Sequence, residues 1–227
     1  MQKLKFLGCG NAFAKKSKNT SAFLIIEDKF VLFDCGGNIL ESLVEKKPFE
    51  NCKKVVILLT HFHSDHTGSL GSFVFTLRNF GYAQEDILVY NPEKQNLQNL
   101  IELFGLEEEC LMLENLSDIF GEKIYTIQQK HYTKFSYGYV VCLPDCKIYF
   151  SGDTAQFPQQ ILNNLESFDY VYIDTTKSDP FGYHHEFSKL EKLIEKPLRH
   201  KIVCMHLADE LDRQEILNKG FGLPQEI

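Results

Sequence analysis

Along the chain, short unbroken blocks of valine, isoleucine, leucine and phenylalanine alternate with polar and turn-forming stretches. In the first half, residues 4–7, 22–26, 30–33, 55–59 and 87–90 read as strands. The second half repeats the texture at 123–127, 138–143, 147–150, 170–173 and 201–205. Between these blocks, residues 39–46, 70–80, 93–104, 158–165, 189–195 and 211–219 space their apolar positions as amphipathic helices do. No Ser/Gly/Pro-rich linker separates the halves. The pattern predicts one α/β domain over residues 1–227, made of two packed sheets flanked by helices.

Composition narrows this further. The 227 residues are 44% hydrophobic and 24% charged, which excludes a disordered chain. Fourteen Gly and seven Pro, with no recurring unit, exclude collagen-like and solenoid architectures. The net charge of −7 repels a long polyanion, so duplex nucleic acid is disfavoured as a partner. Lys15, Lys16 and Lys18 make a small basic patch, and residues 107–109 an acidic loop. No apolar run approaches the roughly 20 residues of a membrane span, and the amino terminus lacks a signal-peptide pattern. A cytoplasmic location is expected. Seven cysteines, an odd number without a C-x-x-C pair, read as reduced core residues, with Cys142 and Cys146 flanking a Pro-Asp turn.

The chemistry concentrates in Thr60-His61-Phe62-His63-Ser64-Asp65-His66-Thr67-Gly68, directly after an apolar block. A shuffled chain of this composition contains H-x-H-x-D-H only about 5 times in 10,000, so chance is a poor account of it. In extended backbone, residues i and i+2 face the same side, and His61 and His63 can therefore offer imidazoles to one metal ion. Asp65 and His66, one step further round the turn, can serve a second. An imidazole-rich, thiolate-free set suits zinc, with manganese or iron as alternatives.

Other polar residues end apolar blocks in the same way, where open sheets place their sites. Asp34 follows 30–33, His131 lies beyond 123–127, Asp153 follows 147–150, and His206 closes 201–205.

Taken in order, these residues resemble the metallo-β-lactamase superfamily of binuclear metal hydrolases. The resemblance covers nearly the whole chain and implies a four-layer αβ/βα sandwich of two mixed sheets flanked by helices. It also implies a ligand set. His61, His63 and His131 would hold one divalent ion, Asp65, His66 and His206 the other, and Asp153 would bridge them. Asp34 would be a buried carboxylate supporting the ligands.

Within the superfamily, the chain is similar to the ribonuclease Z and phosphodiesterase branch. Leu7-Gly8-Cys9-Gly10-Asn11 resembles its glycine loop, Ser151-Gly152-Asp153-Thr154 its bridging-Asp motif, and His184, 22 residues before His206, its proton donor. His185 is the alternative donor. Secreted antibiotic-hydrolysing members and flavin-linked di-iron members fit less well, because their ligand patterns differ. Only 22 residues separate His131 from Asp153, room for a hairpin and not for a tRNA-binding arm. The resemblance therefore implies a phosphodiesterase for a small or nucleotide-like substrate, working through a metal-bridging hydroxide that Asp65 orients, while His184 protonates the leaving oxygen. An acyl hydrolase, either thioesterase or lactonase, uses the same metals, and a non-catalytic ligand-binding member is a further alternative. The tail 207–227 is expected to cap the site or to mediate a homodimer.

Overall fold

The computed structural model describes residues 2–227. Among the described residues there are twelve strands: β1 Lys5–Gly8, β2 Ser21–Ile26, β3 Lys29–Phe33, β4 Lys54–Leu58, β5 Ile87–Tyr90, β6 Leu111–Met112, β7 Ile124–Gln129, β8 Ser136–Leu143, β9 Cys146–Phe150, β10 Tyr170–Asp174, β11 Ile202–Met205 and β12 Gln225–Glu226. They form a seven-stranded sheet in the order β12-β1-β2-β3-β4-β5-β6 and a five-stranded sheet in the order β11-β10-β9-β8-β7. Both sheets are mixed. In the first, β1, β2 and β3 pair antiparallel while β3, β4, β5 and β6 run parallel. The second has antiparallel β7, β8 and β9, followed by parallel β9, β10 and β11. This is the metallo-β-lactamase sandwich implied by the sequence.

The layers follow from strand alternation. Phe30 and Leu32 pack with Leu43, Phe73, Val74, Leu77, Leu97 and Ile101 of the helices outside the first sheet. Their neighbours Val31 and Phe33 face the second sheet and pack among Tyr139, Tyr149 and Phe150. Because β3 and β4 are covered on both faces, their sequences are continuous apolar runs rather than alternating ones. Phe33 anchors the interface, with ring centroids 5.8 Å from Tyr139 and 5.3 Å from Phe150. The Tyr139 hydroxyl is accommodated in this apolar layer by donating to the Leu59 carbonyl at 2.7 Å.

The helices of the first half lie at Leu40–Lys46, Leu70–Asn79 and Lys94–Leu103, within a residue or so of the predicted segments. In the second half Gln159–Leu162, Phe187–Leu193 and Arg213–Asn218 are shorter or shifted. No helix among the described residues is long and apolar enough to cross a membrane. The tail docks on the chain's own sheets: Leu207 bridges to Gly10, Gly222 to Val203, and β12 adds a parallel edge strand beside β1. All seven cysteines are free thiols, six of them buried. Lys18 is engaged by Glu41 and Ser42, both at 2.8 Å, and Glu109 pairs with Arg78 at 2.9 Å. The expected basic and acidic patches are thus partly neutralised locally.

Candidate metal centre

The parallel strands set the site. β3, β4, β9, β10 and β11 end near one another, and each ends in or is followed within a few residues by a polar group: Asp34, His61, Asp153, Asp174 and His206. Register pairs Phe33 with Leu58 and Asp174 with Met205, which brings Asp34 beside the histidine run and Asp174 beside His206. The motif itself turns as it leaves β4. His63 is extended, and a one-turn helix, Ser64–Thr67, redirects Asp65 and His66. His131 arrives from the loop between β7 and β8.

Together they form two donor groups that share a carboxylate. His61, His63, His131 and Asp153 present ligand-capable atoms within 4.8 Å of one another, as do Asp65, His66, His206 and Asp153. The two oxygens of Asp153 divide between them. Oδ2 lies 3.8 Å from His61 Nε2 and 3.6 Å from His131 Nε2. Oδ1 lies 3.2 Å from His66 Nε2 and 3.3 Å from His206 Nε2. Asp65 Oδ2 is 3.2 Å from His66 Nε2 and 3.4 Å from His206 Nε2.

The placement of protons shows what these atoms are suited to. Asp34 accepts from the Thr60 amide at 2.7 Å, from the Thr60 hydroxyl at 2.8 Å and from His66 Nδ1 at 2.8 Å. Having given its proton to Asp34, the Thr60 hydroxyl can accept from His61 Nδ1 at 3.1 Å. His131 Nδ1 donates to the Tyr183 carbonyl at 2.9 Å, and His206 Nδ1 to Asp174 at 3.2 Å. In each of these four imidazoles the Nδ1 proton is held by an acceptor, which leaves Nε2 with its lone pair turned inward. His61 Nε2 and His63 Nδ1 face one another at 3.0 Å. The buried atoms His66 Nε2, His131 Nε2 and Asp153 Oδ1 have no hydrogen-bond partner among the described residues. Convergent lone pairs and orphaned carboxylate oxygen fit divalent cations, which would satisfy them together.

Backbone conformation is specialised at the same place. Asp34 and His206 both adopt positive φ, at 61° and 59°, a region that costs non-glycine residues of order 1–3 kcal/mol. The Asp34 amide is tied to the Leu58 carbonyl at 2.9 Å, and Leu207, immediately after His206, donates to the Cys9 carbonyl at 2.7 Å. Gly152 has φ +59°, and a Cβ there would come within 2.6 Å of the Thr60 Cβ. Only glycine places Asp153 against the histidine motif in this way.

Asp174 was not singled out in the sequence, although it ends a strand as Asp34 does. It is fully buried and accepts from His206 Nδ1 on one oxygen and from His184 Nδ1, at 2.8 Å, on the other. The Thr154 amide also donates to it at 3.0 Å. His184 is therefore locked beside the donors, 3.9 Å from Asp153 Oδ2. Burial opposes its charging, but the Asp174 carboxylate outweighs burial and raises its pKa above that of a free imidazole. His185 turns away. It packs near Phe157, its Nδ1 lies 3.2 Å from the Glu186 carbonyl, and burial lowers its pKa. The donors line a cavity of about 180 Å³ with Phe13, Tyr132 and Tyr183 at its walls.

Comparison with known proteins places the chain. A crystal structure of a diphosphatase from the PhnP family is 19% identical and superposes with a TM-score of 0.77 over 98% of this chain and 94% of that one. The short form of human tRNase Z is 18% identical, with a TM-score of 0.70 over 97% and 95%. Among sequences, an Anti-Pycsar protein Apyc1 of Paenibacillus xerothermodurans is 27% identical over 229 residues, covering 92% of this chain and 89% of the relative. The family model described as "Anti-Pycsar protein Apyc1" matches residues 2–223, and the chain belongs to that family.

Proposed function

We propose that the chain is a binuclear metal-dependent phosphodiesterase for a small, nucleotide-like phosphodiester. The observation that carries this reading is His184, an imidazole held by Asp174 beside two donor groups that share Asp153. His61, His63 and His131 would hold one ion, Asp65, His66 and His206 the other, with Asp153 between them. When bound, two divalent ions supply a nucleophile at neutral pH and offset phosphoryl charge.

The chain's own residues do the rest. Asp34, Thr60 and Asp174 fix the imidazoles in the tautomer that points Nε2 inward, so little reorganisation is needed on binding. Asp65 is positioned to orient the attacking water and accept its proton. As the phosphorus–oxygen bond to the leaving group breaks, His184 gives a proton to the departing oxygen, and the Asp174 carboxylate, by raising its pKa, favours the protonated form that this role needs. Net hydrolysis adds one water across the bond. The small cavity favours a compact substrate over folded RNA.

Hydrolysis of bis-p-nitrophenyl phosphate by metal-quantified protein, compared with a chelator-stripped sample and run beside a thioester and a lactone, tests the reading. Release of nitrophenol that is lost on stripping and restored by zinc or manganese is expected. A preference above about a hundredfold for either acyl substrate would replace it with an acyl hydrolase, and metal-loaded protein inert to all three with a binding protein.

A further inference from the structure

Three of the four imidazoles whose Nδ1 proton is held are backed by a carboxylate. Asp34 accepts from His66 directly and reaches His61 through the Thr60 hydroxyl, while Asp174 accepts from His206. His131 differs: its Nδ1 donates to a peptide carbonyl, that of Tyr183, at 2.9 Å. The other side of that same peptide, the His184 N–H, donates to Oδ2 of Asp179 at 2.5 Å. One peptide plane therefore joins a carboxylate to His131, as the Thr60 hydroxyl joins one to His61.

Asp179 organises the loop that carries this peptide. The neck of the loop is closed by the Thr176 amide on the His185 carbonyl, at 2.9 Å, and by the Phe187 amide on the Thr176 carbonyl, at 2.8 Å. Inside it, Asp179 Oδ1 accepts from the Phe181 amide at 3.0 Å, and the Asp179 amide donates to Glu186 Oε1 at 3.1 Å. Gly182, with φ +74°, turns the chain back so that two amides meet one carboxylate. Burial works against ionisation of Asp179, yet the amides of His184 and Phe181 outweigh it and lower its pKa.

A carboxylate that accepts from a peptide N–H polarises that peptide and makes its carbonyl a stronger acceptor. The Tyr183 carbonyl then holds the His131 Nδ1 proton more tightly, which raises the basicity of Nε2, the atom turned inward. The same hydrogen bond fixes the His184 backbone. From there the imidazole reaches Asp174 at 2.8 Å and lies 3.9 Å from Asp153 Oδ2. With the His184 amide drawn to Asp179 and the His185 carbonyl to Thr176, the first imidazole faces the donors and the second packs near Phe157.

We propose that Asp179 is a positioning residue for two groups at once: through the Tyr183–His184 peptide it strengthens His131 as a metal ligand and sets His184 beside the bond that breaks. The part concerning His184 rests on the phosphodiesterase reading, whereas the part concerning His131 needs only a metal ion. A purely architectural role, in which Asp179 does no more than tie the loop together, is the competing account.

Two readouts on the full chain separate these accounts: metal affinity by competition with a chromophoric chelator, and kcat at saturating metal on two esters. Bis-p-nitrophenyl phosphate expels a weakly basic phenolate that needs little protonation, whereas diphenyl phosphate expels a more basic one that needs more. Asp179→Ala should lower metal affinity by about tenfold, the lower end for loss of a group that supports a ligand, because the effect passes through a peptide. It should also lower kcat on diphenyl phosphate by about tenfold more than on bis-p-nitrophenyl phosphate, a split that loosened packing does not produce. Asp179→Asn keeps one neutral acceptor and should fall between Asp179→Ala and the wild type in both readouts. Phe181→Ala loosens the same loop by removing the ring stacked 5.9 Å from Tyr183, yet keeps every amide, and should retain wild-type metal affinity. Unchanged metal affinity in Asp179→Ala, equal kcat losses on the two esters, or an equal loss of affinity in Phe181→Ala would each overturn the proposal. A wild type that binds metal and cleaves neither ester removes the phosphodiesterase reading and the role at His184 with it, and the affinity comparison alone then decides the link to His131.

Discussion

Asp174 and His184 are joined by a 2.8 Å hydrogen bond in which a fully buried carboxylate holds a partly exposed imidazole over the shared donor Asp153. A general acid must be protonated to work, and Asp174 raises the pKa of His184, extending the protonated form to higher pH. Activity is therefore expected to fall as pH rises through that pKa. In Asp174→Asn the supporting charge is gone, and the alkaline limb of the kcat profile should move to lower pH. His184→Gln should lower kcat by about 10²–10⁴-fold with metal content retained, and the limb should vanish. An unchanged alkaline limb in both variants would remove His184 from the acid role.

Asp34 gathers three donors, the Thr60 amide, the Thr60 hydroxyl and His66 Nδ1. Asp34→Asn keeps the shape but turns one accepting oxygen into a donor opposite them. Metal affinity, measured by competition with a chromophoric chelator, should fall by about 10- to 100-fold.

Gly152→Ala tests the close approach of the β9 turn to Thr60. Its Cβ would sit 2.6 Å from the Thr60 Cβ in a conformation with φ +59°. A loss of more than about 2 kcal/mol in denaturant unfolding, together with weakened metal binding, is expected, because relief of the clash displaces Asp153.

Metal removal should be visible without any substrate. Inward-facing lone pairs and two buried carboxylates repel one another unless cations lie between them, so ions bind the folded chain preferentially. Thermal melting should rise by roughly 10 °C at free metal about a thousandfold above Kd. Equal melting of stripped and loaded protein would argue against a site built around metal.

Much of this arrangement is legible in the order of the amino acids alone. Strands β3, β4 and β5 are covered on both faces, and that burial writes itself as unbroken apolar runs. Two-residue β6 and β12 carry partly or fully exposed side chains and leave no such trace. The histidine run and the residues ending apolar blocks point to the donors, and Asp174, directly after the block 170–173, carries the same signal, but nothing in its spacing ties it to His206. That tie comes from the parallel register of β10 with β11. Nor does a sequence reveal which of two adjacent loop histidines turns inward, since no strand alternation governs them; three-dimensional packing puts His184 in and His185 out. The left-handed backbone of Asp34 and His206 is equally invisible, being imposed by neighbours distant along the chain.

The link between Cys9 and Leu207 has a consequence for biosynthesis. Donors are collected from positions 61 to 206, and the last of them is seated only when the segment after β11 reaches back to the loop after β1. During translation from the amino terminus, most of the first sheet can pair long before His206 leaves the ribosome. Ion capture is thus a closing event of folding, and a prematurely terminated chain would carry the histidine motif without a completed site to fill.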